Sequence, residues 1–182
     1  TQVFWSDTFE KGLGKWKRSS QKVFPGGTSF PWRATMGYPG SHKTRVATSA
    51  SPDEGDCSGG AGDISSSDSI TSPAVTLPAG LKRRLTFQHY VATEAGYDGG
   101  NVKISINGGR FKLVPLSAYV FNGPNARIAS QAEGNTNPLA GQPGYTGTDG
   151  GVTNGSWGTT TVDLAKAGAK ILYTIGREVV LS

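Results

Sequence analysis

The chain has 182 residues, a net charge of +5, 35% apolar content, 27 glycines and 10 prolines. The length suits one domain with a substantial core. The glycine-rich, helix-poor composition points to many short strands joined by long loops. No run reaches the roughly 20 apolar residues that a membrane span requires.

Val3–Phe9 is predicted as an opening strand and Gly12-Leu13-Gly14 as a turn leading to Trp16. No charged and apolar leader pattern opens the sequence, so a targeting peptide is expected to be either absent or already removed, and a start directly in a strand-like run leads us to expect a domain cut from a longer precursor. Ser19–Ser29 is polar and glycine-rich, a loop. Phe30–Ala34 is expected as an edge strand, because Pro31 cannot donate to a ladder. Thr44–Thr48 is another strand, and Ser49–Ser69 a Ser/Gly/Asp tract with little to bury. Ile70–Leu77 resumes strand character, broken by Pro73 and closed by Pro78.

The strongest pattern runs from Arg84 to Pro115. Leu85, Phe87, His89 and Val91 alternate with Thr86, Gln88, Tyr90 and Ala92, the period of a half-buried strand. Val102, Ile104 and Ile106 form a second such series after an acidic loop, Glu94–Asp98. Asn107-Gly108-Gly109 supplies the positive-φ turn of a tight hairpin into Phe111 and Leu113. Ser117–Val152 is irregular, with Tyr119, Phe121, Ile128, Leu139 and Tyr145 as its few anchors. Trp157–Leu164 and Ile171–Ile175 close the series of strands.

Little in the sequence suggests a reaction centre. Lys15, Lys17 and Arg18, and again Lys82, Arg83 and Arg84, flank strand starts without interleaved aromatics, which suits a solvated rim better than a nucleic-acid surface. Cys57 is the single cysteine, with no Cys or His nearby to make a zinc site, and the carboxylates around it disfavour its thiolate. His89 is expected to face the interior and His42 to sit in a turn; no zinc helix or nucleophile elbow is present. A glycosidase needs two carboxylates on one cleft, whereas Glu94 and Asp98 share a loop. The acidic tract holding Asp53, Glu54, Asp56, Asp63 and Asp68 lacks the register of an EF-hand loop. Trp16, Trp32 and Trp157 are read as core, while Tyr97 and Tyr145, in glycine-rich loops, are read as exposed contacts. Asn154-Gly155-Ser156 matches a glycosylation acceptor pattern.

Two groups of segments carry a resemblance. DTFEKGLGKWK, PWRAT and SPAVTLP resemble the MAM-type jelly-roll, the pattern falling on Asp7, Phe9, Glu10, Gly12, Leu13, Trp16, Ser72, Pro73 and Leu77. HYVATEAGYDGGNVKISINGG, NTNPLAGQPGYTGTDGG and GSWGTTTVDL look like a bacterial version, an accessory β-sandwich of secreted peptidases and other exported hydrolases. The resemblance spans nearly the whole chain and implies one antiparallel, concanavalin-like β-sandwich over residues 1–182, part of a larger secreted protein. It implies a structural Ca²⁺ held by Asp7 and Glu10 with the turn Ser41–Lys43, and we add Asp98 from the acidic loop. The end departs from the family: either the terminal strand is truncated or Glu178–Leu181 substitutes for it, and a cysteine that could pair with Cys57 is missing.

The expected function is non-catalytic: docking a parent catalytic domain on a polysaccharide or protein surface, or stabilising it. Tyr97, Tyr145 and Asp149 are the expected ligand contacts. A lectin-like carbohydrate-binding module and an adhesion module, self-associating through an open sheet edge, are the alternatives.

Overall fold

A computed structural model describes residues 2–23, 25, 28–37, 42–49, 65–78, 82–148, 155–168 and 174–181, the last segment and residue 156 by their backbone. Its strands are β1 (Lys17–Lys22), β2 (Arg33–Met36), β3 (Arg45–Thr48), β4 (Ser66–Thr71), β5 (Val75–Thr76), β6 (Arg84–Val91), β7 (Gly100–Ile106), β8 (Lys112–Leu113), β9 (Tyr119–Phe121), β10 (Ala126–Arg127), β11 (Pro143–Gly144), β12 (Ser156–Asp163) and β13 (Thr174–Leu181). The described helices are two 3-10 turns, Leu116–Ala118 and Gln131–Glu133. The protein is all-β and its sheets are antiparallel, as the composition predicts. None of the described helices is long and apolar enough to cross a membrane.

The largest sheet has the order β1-β4-β13-β7-β8, with β5 also paired to β13. A three-stranded sheet has the order β6-β12-β9, and β2–β3 and β10–β11 are separate hairpins. Ile70 of β4 and Val102 of β7 both lie opposite Val179 of β13, so they share one face of the large sheet. Two apolar clusters stand on that face. Leu13, Trp32 and Ile70, flanked by Phe9, Trp16, Ala34 and Ala47, join the first loop and the β2–β3 hairpin to the β4 side. Leu85 and Val162 of the three-stranded sheet meet Val75, Val102 and Ile104 on the β7 side. The three-stranded sheet turns its inner row onto the core, and Leu85 and Val162 are register partners.

Several local expectations are corrected. Val3–Phe9 is not a strand: Asp7 Oδ1 accepts the Phe9 N–H at 2.8 Å, and Phe9 turns to a φ of 62°, which ends any extended run. The stretch is anchored by aromatic contact, with the Trp5 and Phe9 rings 5.6 and 5.3 Å from that of Trp16. Lys17–Lys22, which runs into the expected loop, is an edge strand exposed along its whole length, so it carries no hydrophobic alternation to reveal it. The Ser/Gly/Asp tract yields β4 at its end, because its polar side chains find partners inside. Asp68, 1% exposed, accepts from Phe30 N at 3.0 Å and from the Ser66 hydroxyl at 2.7 Å, while its carbonyl accepts from Trp32 Nε1 at 2.8 Å. β7 is buried on both sides over most of its length, not half-buried.

The Asn107-Gly108 turn forms as expected, with φ of 54° and 73° and a 3.0 Å bond from Gly109 N to Ile106 O. Glu178–Leu181 belongs to β13, which lies between β4 and β7. The edges of the large sheet are β1 and β8, which carry Lys17, Arg18, Lys22 and Lys112. Cationic edges of this kind oppose strand pairing between copies.

Candidate functional site

The loops at one end of the three-stranded sheet are stitched together by side-chain to backbone hydrogen bonds. Thr93 N donates to Gly147 O at 3.1 Å, and Gly147 N returns a bond to Thr93 Oγ1 at 2.9 Å. Gly96 N donates to Thr146 Oγ1 at 2.8 Å. The Asn125 amide imitates a strand partner: its Nδ2 donates to Thr146 O and its Oδ1 accepts from Thr146 N, both at 2.9 Å. Asn137 N donates to Asn135 Oδ1 and Leu139 N to Asn137 Oδ1, turning the chain over the buried pair Ile128 and Leu139. The segment read as irregular holds only the short strands β9, β10 and β11, and asparagine side chains satisfy much of the backbone between them.

Between these loops and β6 lies a cleft of about 20 Å³ lined by His89, Val91, Asn122, Asn125, Tyr145 and Thr148. That volume holds about one water-sized group. Its floor is a buried polar network. Thr160, fully buried, donates to Asn122 O at 2.5 Å and lies 2.9 Å from Tyr145 Oη and 3.0 Å from His89 Nε2. The His89 and Tyr145 rings are in contact, with centroids 4.6 Å apart. His89 faces inward, as its alternation predicts.

Tyr145 does not. It was expected as an exposed contact and is instead 6% exposed, its hydroxyl donating to Asn122 O at 3.2 Å. The glycine-rich neighbours mislead because they serve close approach: a Cβ on Gly99 would stand 2.3 Å from Tyr145 O, and one on Gly144 would stand 2.9 Å from Ile128 Cδ1. Burial pushes the Tyr145 phenol up to about 12, the Thr160 bond pulling the other way. The Tyr119 phenol is raised further by burial and by Tyr145 beside it. Tyr97 is 44% exposed, with its carbonyl accepting from Asn135 Nδ2 at 2.9 Å. Asp149 lies outside the described residues, as do Ser41, Cys57, Asn154 and Asp53, Glu54, Asp56 and Asp63 of the acidic tract.

The expected cation ligands are placed as follows. Asp7 accepts from Phe9 N and, through Oδ2, from Trp16 Nε1 at 3.0 Å. Glu10 Oε1 accepts from Arg45 N at 3.0 Å, which brings the first loop against the start of β3. Asp98 Oδ1 accepts from Asn137 Nδ2 at 2.9 Å. Among the described residues no three His, Cys, Asp or Glu side chains are gathered as metal ligands, so Asp7, Glu10 and Asp98 do not form one group.

Trp157 also departs from expectation. It packs against neither described apolar cluster, standing instead on the outer side of β12 with the Tyr90 ring 5.8 Å and the His42 ring 4.5 Å away. A signal for this was present, since Trp157, Thr159 and Thr161 alternate with the inward Gly158, Thr160 and Val162. No family model matches the chain, and no curated protein or solved structure matches it either.

Tyr145 provides a pH test. An unfolded tyrosine ionises near 10, whereas folding raises Tyr145 to about 12. Its contribution is complete below pH 10 and is lost as pH rises through 12. Denaturant midpoints measured from pH 8 to 12 should fall above pH 10 and fall less in Tyr145→Phe; parallel profiles for the two proteins would contradict this placement.

Proposed function

We propose that the chain is a non-catalytic, MAM-like β-sandwich module of an exported hydrolase, a peptidase in the first instance, which docks its parent enzyme on a surface. The observation that carries this reading is the use made of the polar groups at the cleft. Thr160, Tyr145 and Asn125, together with Nε2 of His89, make their hydrogen bonds to one another and to the backbone around a small cleft. Reactive chemistry requires a group aimed at a substrate atom in reach; these groups are aimed at neighbouring loops. The sandwich reading is supported by the two sheets that share one core.

The structural Ca²⁺ belongs to the same reading at Asp7 and Glu10. The Glu10 bond to Arg45 N supports it, because it holds Glu10 at the start of the strand that follows the turn the resemblance implies. Melting in Ca²⁺ should exceed melting in chelator by several degrees, and superimposable curves would end this part of the proposal.

The docking role is tested by co-sedimenting the purified chain with insoluble polysaccharide and insoluble protein substrates, alongside peptide and glycoside reporters. Saturable binding with no turnover is expected. Turnover by the purified chain that disappears in His89→Ala would contradict the reading.

A further inference from the structure

Deepening the docking reading, on which it rests, we infer that the outer face of the β6-β12-β9 sheet binds an uncharged polysaccharide chain. Register places the residues. Tyr90 lies opposite Trp157, Gln88 opposite Thr159 and Thr86 opposite Thr161, and residues directly opposite in a ladder share a face. The intervening positions, Leu85, Phe87 and Val162, belong to the core, so these six point outward.

The face is open to ligand in part, with the His42 ring packed on Trp157 at one end. Thr86 and Gln88 are exposed, and Tyr90, Trp157, Thr159 and Thr161 are half-buried. Phe121 of β9, opposite Thr161, is 63% exposed. Thr86 and Thr161 touch only through a long 3.3 Å hydroxyl contact, which leaves both able to serve a ligand.

Charge and chemistry identify the occupant. The only charged register pair in this ladder is Arg84 with Asp163, which sits at one end and balances itself. The chain's net +5 is carried elsewhere in part by β1 and β8, so an acidic partner would be drawn to those edges and not to this face. An apolar partner is equally unsuited, since hydroxyl and amide groups fill the middle of the face. Aromatic planes at both ends with hydroxyl and amide groups between them suit sugar rings, which present apolar faces and hydroxyl edges. From Trp157 to Thr161 the strand covers about 13 Å, the scale of a short oligosaccharide.

The experiment measures affinity of the intact chain for a panel of neutral polysaccharides (cellulose, chitin, xylan, mannan and an α-glucan) and for an anionic one, at low and high salt. Binding to at least one neutral member, insensitive to salt, is expected. Phe121→Ala and Gln88→Lys, both at exposed positions, should each weaken it about tenfold with an unchanged melting temperature, and Trp157→Ala should weaken it more. Affinity unchanged in Phe121→Ala and Gln88→Lys overturns the assignment, as does binding confined to the anionic polymer and abolished by salt. Docking on protein surfaces without any neutral polysaccharide binding overturns this inference while leaving the docking role standing; no docking on any surface removes that role itself.

Discussion

Two apolar clusters from distant parts of the chain share one face of one sheet, and backbone pairing by β13 makes that possible. This strand pairs β4 through Glu178–Leu181 and β7 through Ile175–Leu181. Without it β4 and β7 have no common ladder. The Ile70 cluster under the β2–β3 hairpin and the Val102 cluster under the three-stranded sheet would then lose their shared base. Long-range pairing of this kind is costly in loop-closure entropy and is rewarded only when both neighbours are present.

The second constraint is the disposal of polar backbone in a segment with few ladders. Residues 117–148 pass over β7 and the end of β6, and the amides of Asn125, Asn135 and Asn137 replace the strand partners that the segment lacks. This stitching positions the loops and occupies the groups that a sequence reader would nominate for chemistry. The outer side of the three-stranded sheet presents Thr86 and Gln88, exposed, and Trp157, which packs on Tyr90 and His42. Function is accordingly sought on a face and not in a cleft.

How much was legible depended on whether a residue's role is local. β6, β7 and the Asn107-Gly108 hairpin follow from alternation and turn chemistry, which act over a few residues. β1 and β4 were hidden because their residues are mostly polar; the partners of Asp68, namely Phe30 N–H and Ser66, are visible only once the strands are assembled. Tyr145 was misread because glycine signals conformational freedom in a sequence, whereas here Gly99 and Gly144 permit backbone approach. Trp157 reads as core in the sequence, although its alternation with Thr160 and Val162 points it outward.

The central position of β13 is tested most directly by amide hydrogen exchange resolved along the chain. Amides of 175–180 should be protected to the same degree as those of β7 and should open with it, because the two strands share a continuous ladder from Ile106 to Gly100. Exchange of 175–180 at the rate of an unstructured peptide, with β7 still protected, would contradict the account.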